Sequence, residues 1–91
     1  MEKYIVIVEY PVGSNDISRE IYELLKTKGS CLQLTNYSFM ILAEASAVEL
    51  RDAIKELEVE IDRIFVSKME LPAAWSNSLS KSSDIKDLFH E

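Results

Sequence analysis

The chain has 91 residues, 47% of them hydrophobic and 29% charged, with a net charge of −6 and a single cysteine. That composition describes one globular domain with a modest core. It excludes an internal disulfide and a membrane-spanning helix, because no apolar run approaches the roughly 18 to 20 residues that a bilayer needs. The ten basic residues are scattered without a run. Direct nucleic-acid binding, which draws on clustered Lys and Arg, is therefore disfavoured, as is an acidic membrane surface. Cys31 alone fits a reducing cytoplasm.

The opening "MEKYIVIVEYP" has one Lys before a short apolar run and no small-residue cleavage pattern, so it reads as a strand over 3–10 and not as a signal peptide. Pro11 and Gly13 end it. A helix should start at Asn15 or Asp16, either of which can cap free amide groups. Ile17, Ile21, Leu24 and Leu25 have the spacing of one buried helical face, and Gly29 is placed as the helix's stop.

"SCLQLTNYSFMILAEA" (30–45) reads as two strands, 31–35 and 38–43, hinged near Thr35–Asn36. "SAVE" (46–49) is a capping-box pattern that opens a second helix, with Ala47, Leu50, Ile54 and Leu57 along one face. A fourth strand follows in "DRIFVSKMEL" (62–71), stopped by Pro72. Beyond Trp75 the character changes. "SNSLSKSS" (76–83) has five serines in eight positions and reads as a linker. "SDIKDLFHE" (83–91) predicts a short amphipathic tail helix over 84–91, capped by Ser83, with Ile85, Leu88 and Phe89 on one side. A helix of that length persists only if it docks on something.

The order β-α-β-β-α-β over residues 1–75 is the ferredoxin-like α+β sandwich, an antiparallel four-stranded sheet with two helices on one face. Strands one and three are apolar at nearly every position, as suits central strands covered on both faces. Strand four mixes in Arg63, Ser67 and Lys68, as suits an edge. Alternation sends Ile5 and Ile7 to one side of the sheet and Val6 and Val8 to the other. The helices cover one side only. We assign Val6 and Val8 to the uncovered side, where a second copy of the sheet or the C-terminal segment must bury them.

On "YIVIVEY", "IYELLKTKGS", "SAVELRDAIKE" and "RIFVSKMELPAAWS", with the Ala73-Ala74-Trp75 exit of the last strand, the chain resembles small proteins of the SinR family over residues 3 to 76. That family shares a ferredoxin-like superfamily with the small CRISPR-associated adaptation protein (second in the Cas numbering) and the virulence-associated protein D group. The resemblance implies a homodimer with a β-sheet interface, related in fold to CRISPR adaptation and toxin–antitoxin proteins. It also raises metal-dependent nuclease chemistry, whose Asp at the end of the first strand aligns with Tyr10 here. Glu9 is the nearest carboxylate, one residue off and so on the opposite side of the sheet.

Glu9 and Asp16 are the candidate ligands for Mg²⁺, a cation that takes hard oxygen donors, and Tyr10 is the candidate to hold a base or phosphate. The plainer readings are a strand-end charge, a helix cap and a core tyrosine. His90 has no nucleophilic partner in the pattern of a catalytic pair, and Cys31 reads as a buried thiol. Trp75, Ile85, Leu88 and Phe89 complete the predicted contact residues, through which the tail would meet its own sheet, a partner protomer or a foreign protein. The expected function is a non-enzymatic, homodimeric protein-interaction module without a cofactor. The alternative is a metal-dependent endonuclease acting on RNA or DNA through a degenerate strand-end carboxylate site.

Overall fold

The computed structural model describes residues 1–11, 17–57, 59–70, 74–76 and 78–89, with Phe89 described in its backbone. Four strands and three helices run in the order β1 (Glu2–Glu9), α1 (Ser18–Lys26), β2 (Gly29–Thr35), β3 (Ser38–Ala43), α2 (Ala47–Lys55), β4 (Arg63–Lys68) and α3 (Ser82–Phe89). The strands form one antiparallel sheet in the order β2-β3-β1-β4. This is the ferredoxin-like α+β arrangement read from the sequence, with β1 and β3 central and β4 at an edge.

Register decides which side chains meet. Val6 lies opposite Phe39 in β3 and Val66 in β4. Tyr4, Val6, Val8, Phe39, Ile41 and Ala43 therefore share a face, and they pack with Ile21 and Leu25 of α1 and with Leu50 and Ile54 of α2. Val6 and Val8 are fully buried there. Their assignment to the uncovered side is thus corrected: they are the floor of the core under the two helices, and Ile5 and Ile7 point the other way. Period-two alternation separates the two sets but does not by itself say which set lies beneath the helices.

Each helix has a local reason for its bounds. α2 opens with the expected capping box: the Glu49 amide donates to Ser46 Oγ at 3.1 Å, and the Ser46 amide donates to Glu49 Oε1 at 3.2 Å. α1 begins later than expected, with Ile17 as its N-cap residue; Asn15 and Asp16 lie outside the described residues. It ends at Thr27, whose amide and hydroxyl both donate to the Leu24 carbonyl, at 3.0 and 2.6 Å. Gly29 is not the stop but the first residue of β2. It is needed there for close approach, because a Cβ at Gly29 would run into the Leu42 carbonyl oxygen.

The hairpin β2–β3 turns through Asn36 and Tyr37, with Thr35 opposite Ser38 and a bulge between Gln33 and Thr35. Thr35 Oγ1 accepts from the Tyr37 amide at 3.0 Å and lies 2.8 Å from Ser38 Oγ, which supplies the turn chemistry that an Asn-Gly pair would otherwise bring.

The tail docks on its own sheet. Ile85 and Leu88 are buried against Met40 and Leu42 of β3, with Leu32, Leu34, Met69 and Trp75 packed around them. α3 starts at Ser82, so Ser83 lies inside the helix and is not its cap. Trp75 is the tail's anchor, its indole Nε1 donating to Ser82 Oγ at 3.1 Å. The serine-rich stretch before α3 is tied to the edge of β2. The Leu79 amide donates to the Leu34 carbonyl at 2.9 Å, and Ser80 Oγ donates to the Gln33 carbonyl at 2.7 Å. These bonds satisfy edge carbonyls at the bulge that have no strand beside them.

Two outcomes follow from this packing. Gly29→Ala should lower the unfolding free energy by about 2 kcal/mol or more, since backbone and not a yielding side chain blocks the new methyl; urea denaturation checks it. Truncation after Ser76 should lower the unfolding free energy by on the order of 1 to 3 kcal/mol, since the burial of Ile85, Leu88, Met40 and Leu42 (about 1.5 to 3 kcal/mol each) is largely offset by the ordering of α3 (about 1 to 2 kcal/mol per residue). A truncated chain as stable as the intact one would mean that α3 contributes no net cover.

Candidate functional site

The face opposite α1 and α2 divides in two. α3 covers the β2/β3 half, and the β1/β4 half has no covering element among the described residues. On that half β1 presents Lys3, Ile5, Ile7 and Glu9, and β4 presents Arg63, Phe65 and Ser67, by alternation and by the pairings Glu9 with Arg63, Ile7 with Phe65 and Ile5 with Ser67. Ile7 is 42% exposed and Phe65 61%. Two adjacent large apolar side chains in water at the centre of a strand pair make this half of the sheet the candidate contact surface. A shallow recess of about 440 Å³ lies beside them, lined by Ile7, Glu9, Arg63, Ile64 and Phe65.

Glu9, the carboxylate nearest to a strand-end metal position, is engaged. Arg63 Nη1 stands 2.7 Å from its Oε2. Tyr10 leaves β1 on the helix side, packs against the core, donates its hydroxyl to the Asn36 carbonyl at 2.8 Å and meets the Tyr37 ring at 5.4 Å between centroids. Glu9 and Tyr10 therefore diverge to opposite faces. Asp16 and His90 lie outside the described residues. Among the described residues no group of three or more His, Cys, Asp or Glu is gathered as metal ligands. A carboxylate neutralised by a guanidinium, and outside any gathered set of three such ligands among the described residues, is a poor fit to a divalent cation that takes hard anionic oxygens.

The other predicted contact residues are already spent within the chain. Val6 and Val8 floor the core, and Trp75, Ile85 and Leu88 hold α3 to β3. The Phe89 side chain lies outside the described residues. Sequence reasoning missed Phe65 and Arg63. The strand that carries them is plain in the sequence, but the residue opposite each depends on register. One signal was available: within the strand read over 3–10, the odd positions are bounded by Lys3 and Glu9, whereas the even positions, Tyr4, Val6, Val8 and Tyr10, carry no charge, although β1 itself begins one residue earlier at Glu2.

A second surface ion pair closes the far end of the β1/β4 ladder, with Lys68 Nζ 3.0 Å from Glu2 Oε2. The hydrogen bond and charge of Lys68 hold the Glu2 carboxyl below its ordinary value, and the same pairing holds Lys68 above its own. The stabilisation from Glu2 is present above the ordinary carboxylate range and is lost as pH falls through its depressed pKa. Both groups are in water, so the pair fixes strand register more than it adds stability.

Cys31 is buried on the core side of β2, and burial pushes its thiol up to about 12, against a weak opposing pull from Lys26. The thiolate is the reactive form, and burial keeps that form scarce near neutral pH. Near pH 8 its modification by a thiol reagent should require opening of the chain and track the unfolding equilibrium in urea. Labelling at the rate of a free thiol in the native state would show that the edge at β2 opens locally.

No helix among the described residues is long and apolar enough to cross a membrane. No protein-family model matches the chain, and no curated protein or solved structure matches it either.

Proposed function

We propose that this protein is a non-enzymatic, homodimeric protein-interaction module of the cytoplasm, working without a metal or organic cofactor. The observation that carries the reading is the exposed Ile7–Phe65 pair at the middle of the half-sheet that α3 leaves uncovered. Among the described strand residues Ile7 and Phe65 are the large hydrophobic side chains left exposed, while Met40 and Leu42 on the same face are covered by α3. The resemblance to SinR-family and virulence-associated protein D proteins points the same way, toward a sheet-mediated pair of protomers in a CRISPR-adaptation or toxin–antitoxin setting. The buried, unreactive Cys31 suits a reducing compartment.

The endonuclease reading finds less support. Its carboxylate, Glu9, is bound by Arg63, and its phosphate-holding candidate, Tyr10, is turned to the other face of the sheet. The net charge of −6 opposes a polyanionic substrate as well.

Sedimentation equilibrium across a concentration series should show reversible association toward twice the 10.4 kDa monomer mass. The uncovered surface is two strands wide, so half-association is expected at tens of micromolar, the weak end for specific interfaces (on the order of 10⁻⁵ M). A monomer at every concentration would overturn the homodimer. Mg²⁺- or Mn²⁺-dependent cleavage of RNA or DNA that disappears in Glu9→Gln would establish the nuclease instead.

A further inference from the structure

The homodimer reading leaves the geometry of the pair open, and α3 narrows it. Resting on that reading, we infer that two copies pack face to face through their β1/β4 halves, about a two-fold axis parallel to the strands and lying between β1 and β4, so that Glu9 of each protomer meets Arg63 of the other.

Three observations lead there. The first is steric. α3 stands on the β2/β3 half, and a helix is about 10 Å across, the same as the spacing of two stacked sheets. A two-fold axis in the interface running across the strands would lay α3 of one copy onto α3 of the other and hold the sheets apart. An axis along the strands sends the second α3 past the far edge of the sheet, beside β4 of the first copy, and lets the bare halves touch.

The second observation is the register. Rotation about an axis along the strands preserves the level of every residue while exchanging β1 for β4. The pairs already level within one chain, Glu9 with Arg63, Ile7 with Phe65 and Ile5 with Ser67, thus become the pairs that face each other between chains. Ile7 then covers the partner's Phe65, and Phe65 covers the partner's Ile7, so the apolar pair that lines the shallow recess is taken out of water in both copies. The surface is self-complementary, as a closed two-fold contact requires.

Charge is the third. Glu9 and Arg63, 2.7 Å apart and both largely in water, would become a ring of two acids and two bases at one end of the contact. Opposite charges then lie adjacent both within and between protomers. Pairing through the β4 edges alone, as a continuous eight-stranded sheet, would leave Phe65 and Ile7 in water and gives the exposed apolar pair no role.

The test is a charge exchange read by sedimentation equilibrium on the full chain. Glu9→Lys alone sets an ammonium against the partner's Arg63, and Arg63→Glu alone sets a carboxylate against the partner's Glu9. Each variant by itself should associate at least about tenfold more weakly than wild type. Mixed in equal amounts they should form a heterodimer of near wild-type strength. The lysine introduced into one chain then faces the glutamate introduced into the other, while the retained Arg63 of the first faces the retained Glu9 of the second. All four side chains are on the surface, and circular dichroism confirms that both variants keep the fold. Phe65→Asp should likewise abolish association. A wild-type dimer that survives Phe65→Asp and both charge reversals would overturn this geometry while leaving the homodimer reading intact. Recovery that fails in the mixture would overturn the exchanged ion pairs. A wild-type chain that stays monomeric throughout would remove both.

Discussion

The central constraint on this molecule is the placement of its first strand between β3 and β4. One strand serves as the floor of the core on one face, through Tyr4, Val6 and Val8, and on the other face carries the half-buried Ile5 and the exposed Ile7. Every later element is positioned by that double role. β3 supplies Phe39, Ile41 and Ala43 to the same core, and α1 and α2 close over it with Ile21, Leu25, Leu50 and Ile54 at zero exposure. Each such side chain is worth about 1.5 to 3 kcal/mol of burial, far more than the surface ion pairs at the ends of the sheet.

The architecture was legible because its signals are local and agree with one another. β3 spans the residues expected of it, and the Ser46–Glu49 box sets the start of α2 as the spacing implied. The start of α1 and the role of Gly29 were less legible. Gly after a helix has two common causes, a left-handed cap or a close approach, and only the neighbouring Leu42 carbonyl distinguishes them. The site was the least legible part. β1 is apolar on both faces, so composition alone could not tell floor from surface, and the pairing of Glu9 with Arg63 joins residues 54 positions apart. Antiparallel register at that separation is set by tertiary packing and leaves no mark on either segment.

Glu9, the carboxylate that invites a catalytic reading, is better understood as a strand-end charge with a counterpart in Glu2. Glu2 and Glu9 sit at opposite ends of β1, each held by a basic residue of β4, Lys68 and Arg63. Charged ends of this kind discourage slippage of the ladder, because a shift of one residue would part both pairs and turn every apolar side chain of β4 to the wrong face.

α3 is the last element in the chain, yet it covers a strand pair formed from residues 29–43. The order has a temporal meaning. While the polypeptide is being made, β2, β3 and both core helices are complete at Lys55, well before Ile85 is added, and through that interval Met40 and Leu42 have no lid. Any chain in which α3 has not yet docked therefore shows water an apolar sheet face, around Met40 and Leu42, that the finished protein hides.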